Sequence, residues 1–144
     1  EHIVLCLSDG LLAQCGIDLD THRGEIAAGN LSSLRGCPFV LGSAEDIGGR
    51  IGRGLLRSSG VSPVSKATSE NVETLLALCE QGVGACFCPE NLLHTALSPA
   101  QLAHLHILPL CPEASYPICF GYLSRSYPWS VLSEFIRIAR EQTA

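Results

Sequence analysis

The chain has 144 residues, 47% of them hydrophobic, and a formal net charge of −5. This length permits one sizeable core or two small lobes. The acidic balance argues against a surface for nucleic-acid phosphates, because such surfaces carry clustered Lys and Arg. No apolar run reaches the roughly 20 residues of a membrane helix, and no signal-peptide pattern opens the chain. We therefore expect a globular, cytoplasmic protein.

Three short apolar runs bounded by turn residues predict buried strands, namely HIVLCLS (2–8), PFVLGS (38–43) and GACFCP (84–89). Continuous rather than alternating hydrophobicity is typical of a parallel sheet that is covered on both faces. Because the first run starts without a leading turn or cap, we expect a piece of a longer protein. The polar stretch 16–36 predicts a loop-rich connection, with one helical turn at LSSLRG.

The segment EDIGGRIGRGLLRSSG (45–60) predicts a helix with two distinct faces. The expected inner face is formed by Ile47, Ile51, Leu55 and Ser58, and the outer face by Arg50, Arg53 and Arg57. Its four glycines weaken a free helix, so packing must support it. They do not form a dinucleotide-binding fingerprint, because their spacing is wrong and they lie inside a helical pattern.

The next elements are a strand near SPVSKAT (62–68) and a helix in SENVETLLALCEQG, with Ser69 as N-cap and Gly82 as the stop. A short helix follows Pro89. Another begins at Ser98, where SPAQ predicts a capping box with Pro in the first position.

The last segments, HILPL and YPICFGYLS, predict strands, and SYPWSVLSEFIRIAREQ predicts a helix entered through Pro128. Its apolar residues are expected to face inward: Val131, Leu132, Phe135, Ile136 and Ala139. Strands alternating with helices predict an α/β fold with a largely parallel sheet.

The eight cysteines are scattered through apolar runs, which favours small buried side chains over a disulfide framework. Cys86 and Cys88 lie two apart in a predicted strand, so both thiols point to one face. A metal or redox pair there is an alternative, but a zinc site needs about four ligands and no spaced partner is close in sequence. His94, His104 and His106 are better explained as solvated or helix-end residues. We expect no metal and no cofactor.

No catalytic motif stands out. Ser43 follows a strand but lacks the flanking residues of a nucleophile elbow. Polar residues instead follow successive strands, at 43, 69–71 and 89–90. In an open α/β sheet, these carboxyl-end turns line the crevice where small ligands bind, and free helix N–H groups there can donate hydrogen bonds to anionic groups. The pattern predicts a binding cleft and no enzymatic activity.

The order of LSSLRGCPFVLG, GRGLLRSSGVSP, SENVETLLALCEQGVGACFCP and LHILPL resembles the effector-binding domain of LysR-type transcriptional regulators, over essentially the whole chain. The most specific part is 69–89, where Gly82, Gly84 and Pro89 fit the family pattern. Cys86 and Cys88 stand at positions that are usually aliphatic or small.

This resemblance implies a periplasmic-binding-protein-like (type 2) fold whose lobes contain Rossmann-like, mostly parallel sheets. The chain, 1–144, would be an effector-domain fragment. Residues 10–110 would form the second lobe, and 1–9 and 115–144 the hinge strands, C-terminal helix and remnant of a truncated first lobe. The N-terminal winged helix-turn-helix would be absent.

The resemblance also implies a small effector bound between the lobes. The second-lobe contributors would be Ser43, Ala44, Ser69, Asn71, Phe87 and Pro89. The intact regulator would form homodimers or tetramers, with the helix at 46–59 as one element involved, and would bind DNA through the absent part. No membrane contact is implied.

Two other functions stay open at this point. One is a periplasmic-type solute-binding protein or an enzyme that shares the two-lobed fold. The other is a thiol-based redox or metal sensor. The peroxide-sensing branch of the family keeps a reactive cysteine near the start of the helix after the first strand of this lobe. Residues 43–54 contain none, although Cys37 lies close by.

Overall fold

The computed structural model describes residues 1–123 and 129–143, and five strands lie within them. They are β1 (Ile3–Ser8), β2 (Pro38–Leu41), β3 (Val64–Thr68), β4 (Cys86–Pro89) and β5 (Leu105–Pro109). β1 pairs antiparallel with both β4 and β5, and β2 pairs parallel with β3. A parallel bridge between Phe39 and Ala85 joins the two groups. The strand order is therefore β3-β2-β4-β1-β5, with all strands except β1 running the same way, which confirms the largely parallel sheet.

Helices cover both faces of this sheet. They are α1 (Asp9–Cys15), α2 (Leu19–Ala27), α3 (Ile47–Ser58), α4 (Val72–Glu80), α5 (Glu90–Ala96), α6 (Pro99–Leu102) and α7 (Ser130–Thr143), with a 3-10 turn at Ser32–Leu34. Successive strand residues point to opposite faces. On β4, Phe87 joins the core under α1, α2 and α3, whereas Cys86 and Cys88 join the core under α4 and α5. The α/β fold is confirmed.

Within residues 1–123 and 129–143, we find no helix whose length and apolar character would let it cross a membrane.

α3 contacts the sheet through its glycines, and this differs from the predicted inner face. Gly48, Gly49, Gly52 and Leu56 are buried, Ile47, Ile51 and Leu55 are half-buried, and Ser58 is exposed. Gly52 lies directly on the ring of Phe87, with no room for a Cβ between them. Glycine has no side chain, so a hydrophobicity pattern does not identify a buried face that is built from glycines. The sequence pattern therefore predicted the face with the isoleucines as the buried one.

The stretch 16–36, predicted as loop-rich, contains α2. Asp18 caps this helix by accepting a hydrogen bond from Asp20 N at 3.1 Å, and Leu19 and Ile26 are its buried residues. Only these two side chains anchor it, too few for a clear amphipathic signal in the sequence. The predicted helical turn at LSSLRG and the capping box at Ser98 are both confirmed.

Two predictions near the C-terminus are wrong. Residues 116–123 form no strand, and the nearest pairing is the bridge between His2 and Ser115. α7 does not bury its apolar face, since Val131 is 77% exposed and Phe135 50%. Leu132, Ile136 and Ala139 are half-buried. Phe135 contacts Phe120 edge to face at 5.4 Å. Pro128 lies outside the described residues.

Because a Cβ at Gly52 would meet the ring of Phe87 and one at Gly54 would meet nothing within 4 Å, substitution of these two glycines of α3 should affect stability in opposite directions. Gly52→Ala should lower the free energy of unfolding by about 1–3 kcal/mol, because the new methyl overlaps a ring that cannot move freely. Phe87 is held by its stack on Phe39, with centroids 6.0 Å apart. Urea denaturation followed by circular dichroism measures the change.

Gly54→Ala is the matched control, because a Cβ there meets nothing within 4 Å. It should raise stability by about 0.5–1 kcal/mol through helix propensity. Equal stability of the two variants would contradict the close packing of α3 on Phe87.

Candidate functional site

The carboxyl ends of β2, β3 and β4 and the amino end of β1 meet at one edge of the sheet. The parallel pairing of Leu41 with Thr68 places the turns after β2 and β3 side by side. The antiparallel pairing of Ile3 with Pro89 brings the start of β1 to the end of β4. We call this the carboxyl edge, and it is the position where open α/β sheets bind ligands.

Ser43 and Asp46 shape the turn between β2 and α3. Ser43 Oγ accepts a hydrogen bond from Asp46 N at 3.2 Å, and Asp46 Oδ2 accepts one from Gly49 N at 2.7 Å. Asp46 is therefore the N-cap of α3. Ser43 is half-buried, and its O–H hydrogen remains able to donate toward solvent or a ligand. Ala44, the next residue, is exposed on the same turn.

Ser69 and Asn71 shape the turn between β3 and α4. Ser69 N donates to Leu41 O at 3.2 Å, so this turn lies against the end of β2. Ser69 Oγ accepts from Asn71 N at 3.1 Å, and Asn71 Oδ1 accepts from Thr74 N at 2.9 Å. The N-cap is thus Asn71 rather than the predicted Ser69. Sheet pairing therefore brings Ser43, Ser69 and Asn71 to neighbouring turns.

Phe87 and Pro89 occupy different surroundings. The Phe87 side chain is 3% exposed and stacks in the core on Phe39, so its ring faces away from solvent. Pro89 is buried, pairs with Ile3 and begins α5 as its N-cap residue. Both residues are buried beneath the surface of the carboxyl edge, and the exposed residue next to them is Glu90.

Tyr116 also lies at the carboxyl edge, a position that no sequence pattern predicts. Tyr116 N donates to Glu1 O, and Glu1 N donates to Tyr116 O, each at 2.9 Å. Burial, followed by the nearby carboxylates of Glu1 and Asp46, raises the pKa of the Tyr116 phenol. The half-buried phenol thus lies near the start of α3. Its position depends on a contact across 115 residues, which no local pattern can encode.

Acidic side chains adjoin this edge, and the guanidinium of Arg53 lies beside Gly49 near the Ser43 carbonyl. The acidic side chains of the adjoining turns and helix starts are Glu1, Glu45, Asp46, Glu70, Glu73 and Glu90. Beside them, the start of α4 and the face of α5 enclose a surface depression of about 280 Å³. Its polar lining includes Glu70, Asn71, Glu73 and Thr95, and its apolar lining Val72, Leu92 and Ala96. A hydroxyl- or amine-bearing group suits these walls better than a bare anion does.

The thiols of Cys6, Cys79, Cys86 and Cys88 lie together under α4, each with no exposed surface. Hydrogen bonding with Cys6 raises the pKa of Cys86 well above the ordinary thiol value and lowers the pKa of Cys88. Burial from solvent matters more for reactivity, since reactive cysteines are partly exposed. The predicted packing role of Cys86 and Cys88 agrees with this position. Across residues 1–123 and 129–143, no group of three or more His, Cys, Asp or Glu side chains is arranged to hold a metal ion.

The α/β sheet, covered by helices on both faces and containing one antiparallel strand, has the periplasmic-binding-protein-like type 2 fold. Over residues 1–144 the sequence matches the family described as LysR substrate binding domain. The chain belongs to this family. No curated protein matches the sequence.

Solved structures show the same fold at low sequence identity. HinK, a LysR family transcriptional regulator from Pseudomonas aeruginosa, is 16% identical with a TM-score of 0.64, over 99% of this chain and 46% of HinK. The effector binding domain of QuiR in complex with shikimate is 11% identical with a TM-score of 0.60, over 99% of this chain and 61% of that one. Full-length CbnR complexed with target DNA is 16% identical with a TM-score of 0.52, over 98% and 44%. The chain thus spans less than two thirds of each of these proteins.

The capping role of Asn71 gives a stability prediction. Asn71→Ala should lower the free energy of unfolding by about 1 kcal/mol, because Thr74 N loses its side-chain acceptor at the start of α4. Asn91→Ala is the matched control, since Asn91 is exposed in α5 and its backbone N–H keeps its bond to Glu1 Oε1. Thermal unfolding monitored by circular dichroism compares the two, and an equal loss in both would contradict the assigned cap.

Proposed function

We propose that this chain is the effector-sensing part of a LysR-type transcriptional regulator. The family match over the full 144 residues carries the proposal. The carboxyl edge supports it, because Ser43, Ser69, Asn71 and Tyr116 gather there from segments far apart in sequence. The chain acts by binding rather than by catalysis, and DNA is contacted by a separate N-terminal domain of the intact, cytoplasmic regulator. Occupancy of the cleft shifts the regulator between two arrangements on DNA.

The effector belongs to the small polar metabolites. Serine hydroxyls, the Asn71 amide and the Tyr116 phenol offer hydrogen bonds to hydroxyl groups of the effector. The surrounding carboxylates repel an anionic group of the effector that faces this lobe. An acidic group on the effector would therefore face the other lobe. Of the six residues inferred from the family resemblance, Ser43, Ala44, Ser69 and Asn71 offer accessible groups. Phe87 and Pro89 act by positioning this edge.

The same edge supports a division of the chain into lobes. We propose residues 10–110 as the second lobe, and 1–9 and 115–144 as the connections to the first lobe and part of it. The bridge between His2 and Ser115 supports this division, because the two connections leave the sheet side by side. The exposed apolar face of α7 fits a helix that packs on the first lobe. Self-association in the intact regulator belongs to the same proposal, with α3 as a contributing helix.

Effector binding can be tested on the full-length protein. Thermal-shift screening of small polar metabolites, with shikimate as one probe, should find a ligand that raises the melting temperature, because ligands that bind only the folded state stabilise it. Titration calorimetry then gives Kd. Ser43→Ala and Ser69→Ala should each raise Kd by up to about tenfold, the loss of one hydrogen bond.

Ser58→Ala serves as the control for these variants. Ser58 is exposed at the far end of α3, where its hydroxyl donates to Leu55 O, and its loss should leave Kd unchanged. If neither Ser43→Ala nor Ser69→Ala changes Kd, the effector binds at a site other than the carboxyl edge. A ligand that binds without changing DNA occupancy in a mobility-shift assay would contradict the sensing role.

A further inference from the structure

Two pairs of thiols are in contact although all eight cysteines are reduced. Cys15 Sγ lies 3.6 Å from Cys37 Sγ, and Cys6 Sγ lies 3.7 Å from Cys88 Sγ. A disulfide needs the two sulfurs at about 2.05 Å, so each pair would have to close by a further ångström or two. The two sulfur–sulfur distances are nearly the same, so the surroundings of each pair decide whether it can form a disulfide.

Cys15 and Cys37 lie at the ends of structural elements. Cys15 is the last residue of α1 and is followed by Gly16, whose φ is 64°. Cys37 directly precedes β2 and follows Gly36, whose φ is 82°. Neither cysteine is held inside a ladder of strand hydrogen bonds, so small backbone rotations can bring the sulfurs together. Cys15 is half-buried and open to a small oxidant, whereas Cys37 is 1% exposed.

Cys6 and Cys88 are placed in the opposite way. Both are 0% exposed, and both lie inside the paired strands β1 and β4. Their partners in the register are Cys86 and Val4 respectively, so the two thiols meet only diagonally. Closing this pair would require movement of two central strands, and no oxidant can reach it first. Contact between two sulfurs is therefore not sufficient for disulfide formation.

We propose that Cys15 and Cys37 form a reversible disulfide when the protein meets hydrogen peroxide. Cys15 sulfur attacks hydrogen peroxide, forming an S–O bond as the O–O bond breaks, and the displaced hydroxide takes the Cys15 proton and leaves as water. Cys37 sulfur then attacks Cys15 sulfur, forming the S–S bond as the S–O bond breaks. The Cys37 proton leaves with that oxygen as a second water. Two thiols lose two electrons to one peroxide.

The order of the two thiols follows from their burial. Desolvation, together with the Cys15 thiol beside it, raises the pKa of Cys37 far above the ordinary thiol value. Cys37 therefore keeps its proton and is a poor nucleophile toward the peroxide, since the thiolate is the reactive form. It reacts with the Cys15 sulfenic acid because the leaving hydroxyl lies beside it and takes its proton. Cys15 meets the oxidant first and Cys37 completes the bond. This pair is independent of the effector site, so each can fail without the other.

The disulfide would close a loop over residues 16–36, which hold α2 and the 3-10 turn. It would tie the end of α1 to the start of β2, the strand whose other end leads to Ser43. Intracellular disulfides of this kind are usually transient and serve redox sensing.

Peptide mapping tests the pair without any change to either cysteine. The Cys119→Ser protein is used, because Cys119 is exposed and would link two molecules. It is treated with hydrogen peroxide, alkylated under denaturing conditions and cut with trypsin and Asp-N, which separates residues 9–17 from residues 36–45. A cross-linked 9–17/36–45 peptide that disappears with dithiothreitol is the expected result. Full alkylation of Cys15 and Cys37 after peroxide, or a Cys6–Cys88 link formed first, would overturn the proposal.

Variants then test the order of reaction. Cys37→Ala should stop at the sulfenic acid of Cys15, which dimedone captures, whereas Cys15→Ala should leave Cys37 unoxidised. Cys111→Ala is the matched control, since Cys111 is also half-buried and should leave the link intact. Dimedone labelling of Cys37 in Cys15→Ala, or loss of the link in Cys111→Ala, would contradict the assigned roles.

Discussion

The junction between β2 and β4 holds this lobe together. Val40 N donates to Ala85 O and Ala85 N donates to Pro38 O, each at 2.9 Å, and these two bonds join the β2–β3 pair to the β4–β1–β5 group. Gly84 permits the approach, because a Cβ there would lie 2.7 Å from the Phe39 carbonyl carbon. Without this contact the sheet would divide, and the turns carrying Ser43 and Ser69 would separate from Glu90 and Tyr116.

The same junction fixes the position of α3. Phe87 on β4 stacks on Phe39 of β2 with an angle of 4° between the rings. The flat pair presents a smooth surface that a side chain would disturb, and Gly52 lets the helix axis come close. The start of α3 is thereby held above the carboxyl edge, where Asp46 caps it beside Ser43. Packing in the core thus sets the geometry of a site whose polar residues lie outside it.

The polar residues of the carboxyl edge also have structural roles. Ser43 and Ser69 hold turns, and Asp46 and Asn71 cap helices. These roles explain the residue types without any ligand, since short polar side chains at strand-to-helix turns satisfy free N–H groups. They also make the edge rigid, which suits a binding surface, because preorganised groups lose little freedom when a ligand arrives. Some of the acidic side chains have structural roles too, since Glu73 and Glu90 lie in the first turns of α4 and α5 and Glu1 Oε1 accepts a hydrogen bond from Asn91 N.

The sequence by itself determined the five strands of the sheet, most helices, the α/β class and the turns of the carboxyl edge, because these depend on local hydrophobicity and capping residues. Cys86 and Cys88 were correctly expected in the core on the same grounds. The tertiary structure alone decided which face of α3 is buried, since a glycine face has no hydrophobic signal. It also decided the exposure of α7 and the absence of a strand at 116–123, because burial and strand pairing both require partners. The positions of Tyr116 and of Cys15 beside Cys37 rest on contacts between distant segments, and composition and spacing carry no information about those.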